Sequence, residues 1–164
     1  MNTVQLIAAA GGIFAVLGFI HFFVDWIFQS HAEAMVKHNN WKVRAKHCLI
    51  YTVGFVPLLF VVGLSWWEWL VALNVLFWSH FTEDTYVPVF LWAKWIRRPP
   101  EMSDPIKTSG VDGYITITPP DPHKGFVLFI QTPLGKILMI TIDQIIHLIF
   151  LWPIVYLVMR HLHK

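Results

Sequence analysis

Long apolar runs alternate with short polar segments along the chain. Four runs, at residues 4–28, 47–64, 66–95 and 134–160, are long enough to cross a bilayer. About 20 helical residues span the ~30 Å hydrocarbon core, because a helix rises 1.5 Å per residue. The pattern predicts an all-α membrane protein, with four transmembrane helices in an antiparallel bundle that forms a single integral-membrane domain, 1–164.

The segment between the third and fourth runs breaks the apolar pattern. Six prolines between positions 99 and 122 exclude a long helix there. The Asp112-Gly113 dipeptide is a turn signal, and the alternation that follows through Thr118 predicts a short β-strand or hairpin. Residues 96–133 are therefore predicted to form a proline-rich extramembrane loop, which could be either a binding loop or a structured connection.

The composition agrees with a membrane protein. Hydrophobic residues make up 56% of the chain and charged residues 13%, against roughly 25% charged residues in soluble domains. The net charge is only +2, and the basic residues of the chain cluster in loops instead of covering one face. This distribution excludes a nucleic-acid-binding face. The lipid bilayer is the expected partner, and a membrane-protein partner or a homo-oligomer is left open. The single cysteine, Cys48, excludes an intrachain disulfide and a metal site built on cysteines.

The distribution of lysine and arginine predicts the orientation. Four basic residues lie in the segment after the first run, and six lie between Lys94, at the end of the third run, and Lys136, at the start of the fourth, whereas the connection between the second and third runs has none. Positively charged loops stay on the cytoplasmic side. We therefore expect a multi-pass protein with both long loops in the cytoplasm and both termini outside.

Histidine and aspartate recur four residues apart inside the apolar runs, a spacing that places both on one helix face. In the fourth run the order is reversed, which suits a helix that crosses in the opposite direction. Each aspartate then lies toward the cytoplasm, with the histidine ~6 Å farther out. His47, where the second run begins, is expected near the aspartates. The three pairs are His21/Asp25, His80/Asp84 and Asp143/His147.

These groups predict a divalent metal site near the cytoplasmic face. A carboxylate inside a bilayer costs at least ~2.5–3.5 kcal/mol, and the span interiors contain no lysine or arginine. Histidine with carboxylate suits zinc, manganese or iron. Glu83 is left out because it points about 100° away from Asp84 on a helix. The predicted ligands are His21, Asp25, His47, His80, Asp84, Asp143 and His147.

Several functions fit such a centre. One hypothesis is a metal-dependent hydrolase of a membrane-associated substrate, in which Asp25 or Asp84 is the catalytic base. The alternative is a non-enzymatic small subunit or scaffold of a larger complex, whose cluster is a structural polar network. A proton or ion path is a third interpretation. The sequence names no substrate, reaction, metal or oligomeric state.

The polar skeleton resembles a bacterial membrane-protein family known as domain of unknown function 3307. The resemblance rests on His21-x₃-Asp25-x₃-Gln29, Lys37, His47-x₃-Tyr51, His80-x₃-Asp84 and Asp143-Gln144-x₂-His147. It implies a four-span helical protein of the bacterial inner membrane, and it supplies no reaction. The residues beside the ligands are expected to be their hydrogen-bond partners. These residues are Gln29, Gln144, Tyr51 and Lys37.

Overall fold

A computed structural model describes residues 2–103, 106–109, 115–118 and 121–162. The chain separates into two compact units. The first comprises residues 1–85 and 146–164, and the second comprises residues 86–145. Each is described by itself. The single domain over 1–164 stays a prediction.

The first unit is helical. Helix α3 (Trp41–Gly54) begins six residues before the predicted second run, 47–64. Asn40 explains this earlier start, because its side-chain oxygen accepts hydrogen bonds from the backbone N–H groups of Lys42 and Val43. Pro57 lies in the first turn of α4 (Val56–Val62), where a backbone N–H would have no partner within the helix, so its absence costs no hydrogen bond. The elements of the unit are α1 (Thr3–Ile27), α2 (His31–Val36), α3 (Trp41–Gly54), α4 (Val56–Val62), α5 (Trp66–Glu83), the end of α9 (Pro133–Ile149), and α10 (Trp152–Leu162).

Three helical stretches are long and apolar enough to cross a membrane: Thr3–Ile27, Trp41–Val62 and Pro133–Leu162. They correspond to the first, second and fourth predicted spans. Their outward side chains are largely apolar and exposed, which suits contact with lipid. Helix α5 is not among the helices of the described residues that are both long and apolar enough to cross a membrane. A fourth span therefore stays a prediction.

The predicted third span, 66–95, is not one continuous helix. Helix α5 ends at Glu83, and Tyr86 adopts a left-handed conformation with φ 61° before α6 (Val87–Trp92) begins. Pro88 supplies the physical reason, because it has no N–H to donate to the carbonyl of Asp84. The sequence pattern missed the break because apolar residues continue on both sides of it.

The second unit contains the segment between the predicted third and fourth spans. After α6, a π-helix covers Ala93–Arg97. Two strands, β1 (Ile106–Ser109) and β2 (Ile115–Thr118), pair antiparallel, with Ile106 opposite Thr118 and Ser109 opposite Ile115. The predicted strand corresponds to β2, and the turn dipeptide before it lies outside the described residues. The remaining elements of this unit are α7 (Pro100–Ser103), β1 (Ile106–Ser109), β2 (Ile115–Thr118), α8 (Pro122–Gln131) and most of α9.

The core of the first unit has an apolar part and a polar part. Leu17, Phe55, Leu59 and Leu76 are at most 1% exposed and belong to one apolar cluster. Buried polar side chains are the more informative observation, because burying charge is costly unless it is compensated. Those near the ends of α1 and α5 are His21, Asp25, Lys37, His47, His80, Glu83, Asp84 and His147.

Candidate metal centre

Two helices each carry a histidine and an aspartate on one buried face. In α1, His21 and Asp25 are buried, whereas the two phenylalanines that follow His21 are exposed. In α5, His80 lies in the last turn, and Asp84 ends the helix by donating its backbone N–H to the carbonyl of His80 at 3.0 Å. The helical period thus produces both pairs.

Asp25, His47 and His80 bring three potential ligand atoms together. Oδ1 of Asp25 lies 2.9 Å from Nε2 of His47 and 3.5 Å from Nε2 of His80. The two Nε2 atoms are 2.9 Å apart. An ion with bonds of ~2.0–2.1 Å holds neighbouring ligand atoms about 3–3.4 Å apart. The three side chains, here called the trio, therefore have nearly the mutual spacing of metal ligands.

Asp84 extends the trio with one oxygen and binds a lysine with the other. Its Oδ2 lies 3.6 Å from the Nε2 atoms of both His47 and His80, and makes no hydrogen bond within the described part of the chain. Its Oδ1 receives the ammonium of Lys37 at 2.7 Å, and that ammonium is 3.8 Å from Oδ1 of Asp25. Asp84 is thus both an ion-pair partner and a candidate fourth ligand.

The segment between α2 and α3 positions Lys37. Nη1 of Arg44 donates to the carbonyls of Lys37 and His38, at 3.3 and 3.0 Å. The guanidinium also lies over the ring of Phe81, 4.4 Å from its centroid. Burial lowers the pKa of His38, and the charges of Arg44 and Lys37 lower it further. Arg44 therefore links the lysine-bearing segment to α5.

Glu83 corrects the sequence analysis, which left it out. His80, Glu83 and His147 form a second group with ligand atoms close together. Nε2 of His147 lies 3.2 Å from Oε2 of Glu83 and 3.9 Å from Oδ1 of Asp84. The 100° offset describes the directions of the two Cβ atoms, and the longer, flexible side chain of Glu83 still reaches His147. Both carboxylates can then face the centre.

Tyr51 orients two of the histidines. Its ring stacks on His80, with centroids 3.8 Å apart and the planes 1° from parallel. Its hydroxyl is hydrogen-bonded to Nδ1 of His21 at 3.1 Å. Within the described residues, His21 does not belong to any of the groups whose ligand atoms lie together. The structure therefore places His21 beside the centre, next to the predicted hydrogen-bond partner Tyr51.

The other predicted residues contribute less direct contacts. The side-chain nitrogen of Gln29 makes no hydrogen bond among the described residues. The amide of Gln144 donates to Oδ2 of Asp143 at 3.3 Å, and Asp143 is absent from the ligand groups of the described residues. Cys48, which the sequence analysis did not include among the ligands, forms a further group with His80 and Asp84.

The family description "Protein of unknown function (DUF3307)" matches residues 13–163. The chain belongs to this family. Neither the curated proteins nor the solved structures contain a match. The family match covers every residue of the centre, but the family description assigns no activity. Evidence for a function therefore comes from the chemistry of the site itself.

Charge is unbalanced in the DUF3307 centre. Three buried carboxylates, from Asp25, Glu83 and Asp84, surround one buried ammonium, that of Lys37. With neutral histidines and ionised acids, the cluster carries two uncompensated negative charges. Buried charge is tolerated when it is paired or bound to a cation. One divalent ion would neutralise the cluster, and so would two histidinium groups.

The ligand set also fits a transition metal. Imidazole nitrogens and carboxylate oxygens suit zinc, manganese and iron. At 2.9 Å, only one of the two facing Nε2 atoms of His47 and His80 can carry a proton, because the other must accept it. Both nitrogens could instead direct lone pairs at one cation. The DUF3307 chain therefore contains a cluster that could hold a metal ion.

Proposed function

We propose that this DUF3307 protein is a multi-pass membrane protein that binds one divalent transition metal ion through Asp25, His47 and His80, with Asp84 as the fourth ligand. The observation that carries the proposal is the 2.9–3.5 Å spacing of the trio's ligand atoms. Oδ2 of Asp84, 3.6 Å from both histidine nitrogens, is the nearest fourth donor. Zinc, manganese and iron all accept this donor set.

The charge balance supports one ion instead of two. Lys37 already supplies one positive charge, and its ammonium is hydrogen-bonded to Oδ1 of Asp84. A second divalent ion, at His80, Glu83 and His147, would leave the cluster with two excess positive charges. We therefore propose that Lys37 takes the electrostatic role of a second cation.

The membrane arrangement is also part of the proposal. We propose four spans in an antiparallel bundle of a bacterial inner membrane, with α5 as the third span and both long loops in the cytoplasm. Three sufficiently apolar helices support this arrangement. The lysines and arginines of the two long loops support the sidedness.

A metal-dependent hydrolase is the reaction class that we propose for this centre. A bound ion lowers the pKa of a coordinated water toward ~7. Asp84, or Asp25, would accept a proton from the water that adds to an ester or phosphate of a membrane-associated substrate, and would return it to the alcohol oxygen that leaves as the ester bond breaks. Lys37 supports this proposal because an ammonium beside the ion could hold an anionic group.

A second function is a non-enzymatic subunit or scaffold, either in a homo-oligomer or with another membrane protein. The Lys37–Asp84 ion pair favours it, because this contact at 2.7 Å is already a strong bond in the absence of an ion. In that case the histidines and carboxylates form a structural network between helices.

Metal analysis separates the two functions. The protein is purified in detergent without chelator, and its metal content is measured for the wild type, His47→Ala and His31→Ala. We expect about one ion per chain in the wild type and in His31→Ala, whose exposed histidine lies outside the centre. His47→Ala should lose the ion. A wild-type protein that binds no metal after incubation with zinc, manganese or iron would exclude the metal proposal and leave the structural network.

Two further variants examine the remaining predicted ligands. Asp143→Asn and His21→Ala should each retain the ion if the trio and Asp84 are the ligands. Loss of metal in Asp143→Asn would restore Asp143 as a ligand and revise the proposed set. Hydrolysis of a water-soluble phosphate ester by the metal-loaded wild type would support the hydrolase if Asp84→Asn, loaded with excess zinc to the same metal content, does not hydrolyse the ester. The amide oxygen of the asparagine can still bind the ion but is not a base. Equal rates in the two proteins would exclude Asp84 as the base.

A further inference from the structure

A groove lies between α5 and α10, at the end of α5 that is remote from the metal centre. Its volume is about 380 Å³. Glu68 in the groove and His80 in the centre are 12 residues apart on α5, or about 18 Å at 1.5 Å per residue. The groove is lined by Ser65, Trp67, Glu68, Val71, Val75, Pro153, Ile154, Tyr156, Leu157 and Arg160.

One end of the groove is polar and contains a carboxylate, from Glu68, and a guanidinium, from Arg160. Oε2 of Glu68 is bound by the N–H and hydroxyl of Ser65, at 3.0 and 2.7 Å, and by Nδ1 of His161 at 2.8 Å. The side chain of Arg160 is exposed, and no ion pair or hydrogen bond joins its guanidinium to the residues that the structure describes. The carboxylate is thus already saturated, whereas the guanidinium is available to an anion.

The rest of the groove is apolar. Val71 and Val75 line it from α5, and Ile154 and Leu157 line it from α10. Pro153 and Arg160 are seven residues apart, so the groove extends about 10 Å along the helix. Trp67 and Tyr156 are 60% and 69% exposed. Tryptophan and tyrosine of this kind concentrate where a bilayer meets water.

We propose that this groove binds an anionic phospholipid, with part of one acyl chain along the valines of α5 and the phosphate at Arg160. The apolar walls match an acyl chain, and the guanidinium can form two parallel hydrogen bonds to a phosphate. A second copy of the chain would have to place an acidic group at Arg160, and a zwitterionic lipid lacks the net charge. The proposal does not depend on a metal at the other end of α5.

The experiment uses full-length protein, purified in detergent and stripped of lipid. The protein is incubated with mixed micelles that contain phosphatidylglycerol or phosphatidylcholine, and native mass spectrometry counts the bound lipids. The variants are Arg160→Gln and Val75→Phe, which fills the groove. Arg97→Gln and Val61→Phe are matched controls, because Arg97 and Val61 are exposed and do not line the groove.

We expect one phosphatidylglycerol per wild-type chain and weaker retention of phosphatidylcholine. Arg160→Gln should weaken phosphatidylglycerol binding about fivefold, since one basic residue near an anionic surface contributes about that much. Val75→Phe should weaken both lipids, and the controls should match the wild type. The elution volume and the thermal unfolding of Arg160→Gln show whether it folds. If Val75→Phe does not fold, Arg160→Gln alone decides.

Three results would overturn the proposal. One is equal retention of the two lipids by the wild type. Another is unchanged phosphatidylglycerol binding in folded Arg160→Gln. The third is a dimer mass for the wild type and a monomer mass for Arg160→Gln, which would assign the groove to a second copy of the chain.

Discussion

Histidine meets carboxylate at both ends of α5, with opposite consequences. At the end near α10, one oxygen of Glu68 accepts from Ser65 and His161. At the other end, an oxygen of Asp84 faces two histidine nitrogens at 3.6 Å and makes no hydrogen bond within the described residues. The first site is saturated by the chain itself, and the second is not.

The difference shows that proximity alone does not identify an ion site. A buried carboxylate with short hydrogen bonds to neutral donors is already stabilised, and a cation would have to replace those bonds. A carboxylate whose neighbours stand slightly beyond hydrogen-bond distance, with their lone pairs directed inward, gains more from a cation. By this criterion the centre around His80 is the candidate, and the Glu68–His161 pair is a structural contact.

The largest expected effect comes from removing the lysine of the centre. In metal-free protein, Lys37→Met leaves Asp84 without the ammonium at 2.7 Å. Breaking a buried ion pair in this way costs about 3–5 kcal/mol, because a buried charge loses its partner. Thermal unfolding in detergent should therefore show a large loss of stability. Adding zinc should recover most of it, because the ion supplies the missing positive charge.

Lys42→Met is the matched control for the lysine substitution. Lys42 is exposed, and its ammonium lies 5.8 Å from the ring centroid of Trp41. Its removal should change the free energy of unfolding by less than about 0.5 kcal/mol. A Lys37→Met protein as stable as this control would show that Asp84 is not a buried, ionised carboxylate. If zinc did not restore the stability of Lys37→Met, this result would contradict the proposal that the centre binds a metal ion.

A smaller effect is expected at the other end of α5. His161→Ala removes one hydrogen bond to Glu68 and leaves both bonds from Ser65. The expected cost is about 1 kcal/mol, because the imidazole is partly exposed and the carboxylate keeps other donors. Thermal unfolding measures this cost. Metal content, measured on the same sample, should equal that of the wild type, and a loss of metal would mean that the two ends are not independent.

The sequence revealed the parts of the centre that lie on one helix. His21 with Asp25, and His80 with Asp84, could be paired from the helical period and the apolar context. The contact between His47 and His80 depends on the packing of α3 against α5, which no local pattern encodes. Glu83 was missed because a helical wheel gives only the direction of Cβ and takes no account of how far a flexible side chain reaches. Pro88 was the available signal that the third apolar run would be interrupted after α5.

The role of Lys37 could be predicted only in part. The interiors of the apolar runs contain no lysine or arginine, which made a bound cation one of the ways to balance the buried carboxylates. A loop lysine can reach a buried site because its four-carbon stem is flexible. Which loop lysine does so depends on the turn after α2 and on Arg44, whose bonds to the carbonyls of Lys37 and His38 are tertiary contacts. Such contacts leave no trace in hydrophobic periodicity.

The smallest effect is expected at an exposed pair, which extends the comparison from saturated buried groups to solvated ones. Lys46 binds Glu33 at 2.6 Å, and this bond, followed by those from Ser30, lowers the pKa of Glu33 to about 2. Because the folded pKa lies below the ordinary 4.5, the pair stabilises the fold above that pH and loses its effect as the pH falls toward 2. Lys46→Gln should therefore be slightly less stable than the wild type at pH 7, and the difference should shrink toward pH 2 and in high salt. A difference that persists at pH 2 would show that Lys46 acts through packing instead of charge, and would remove the contrast between this pair and the buried centre.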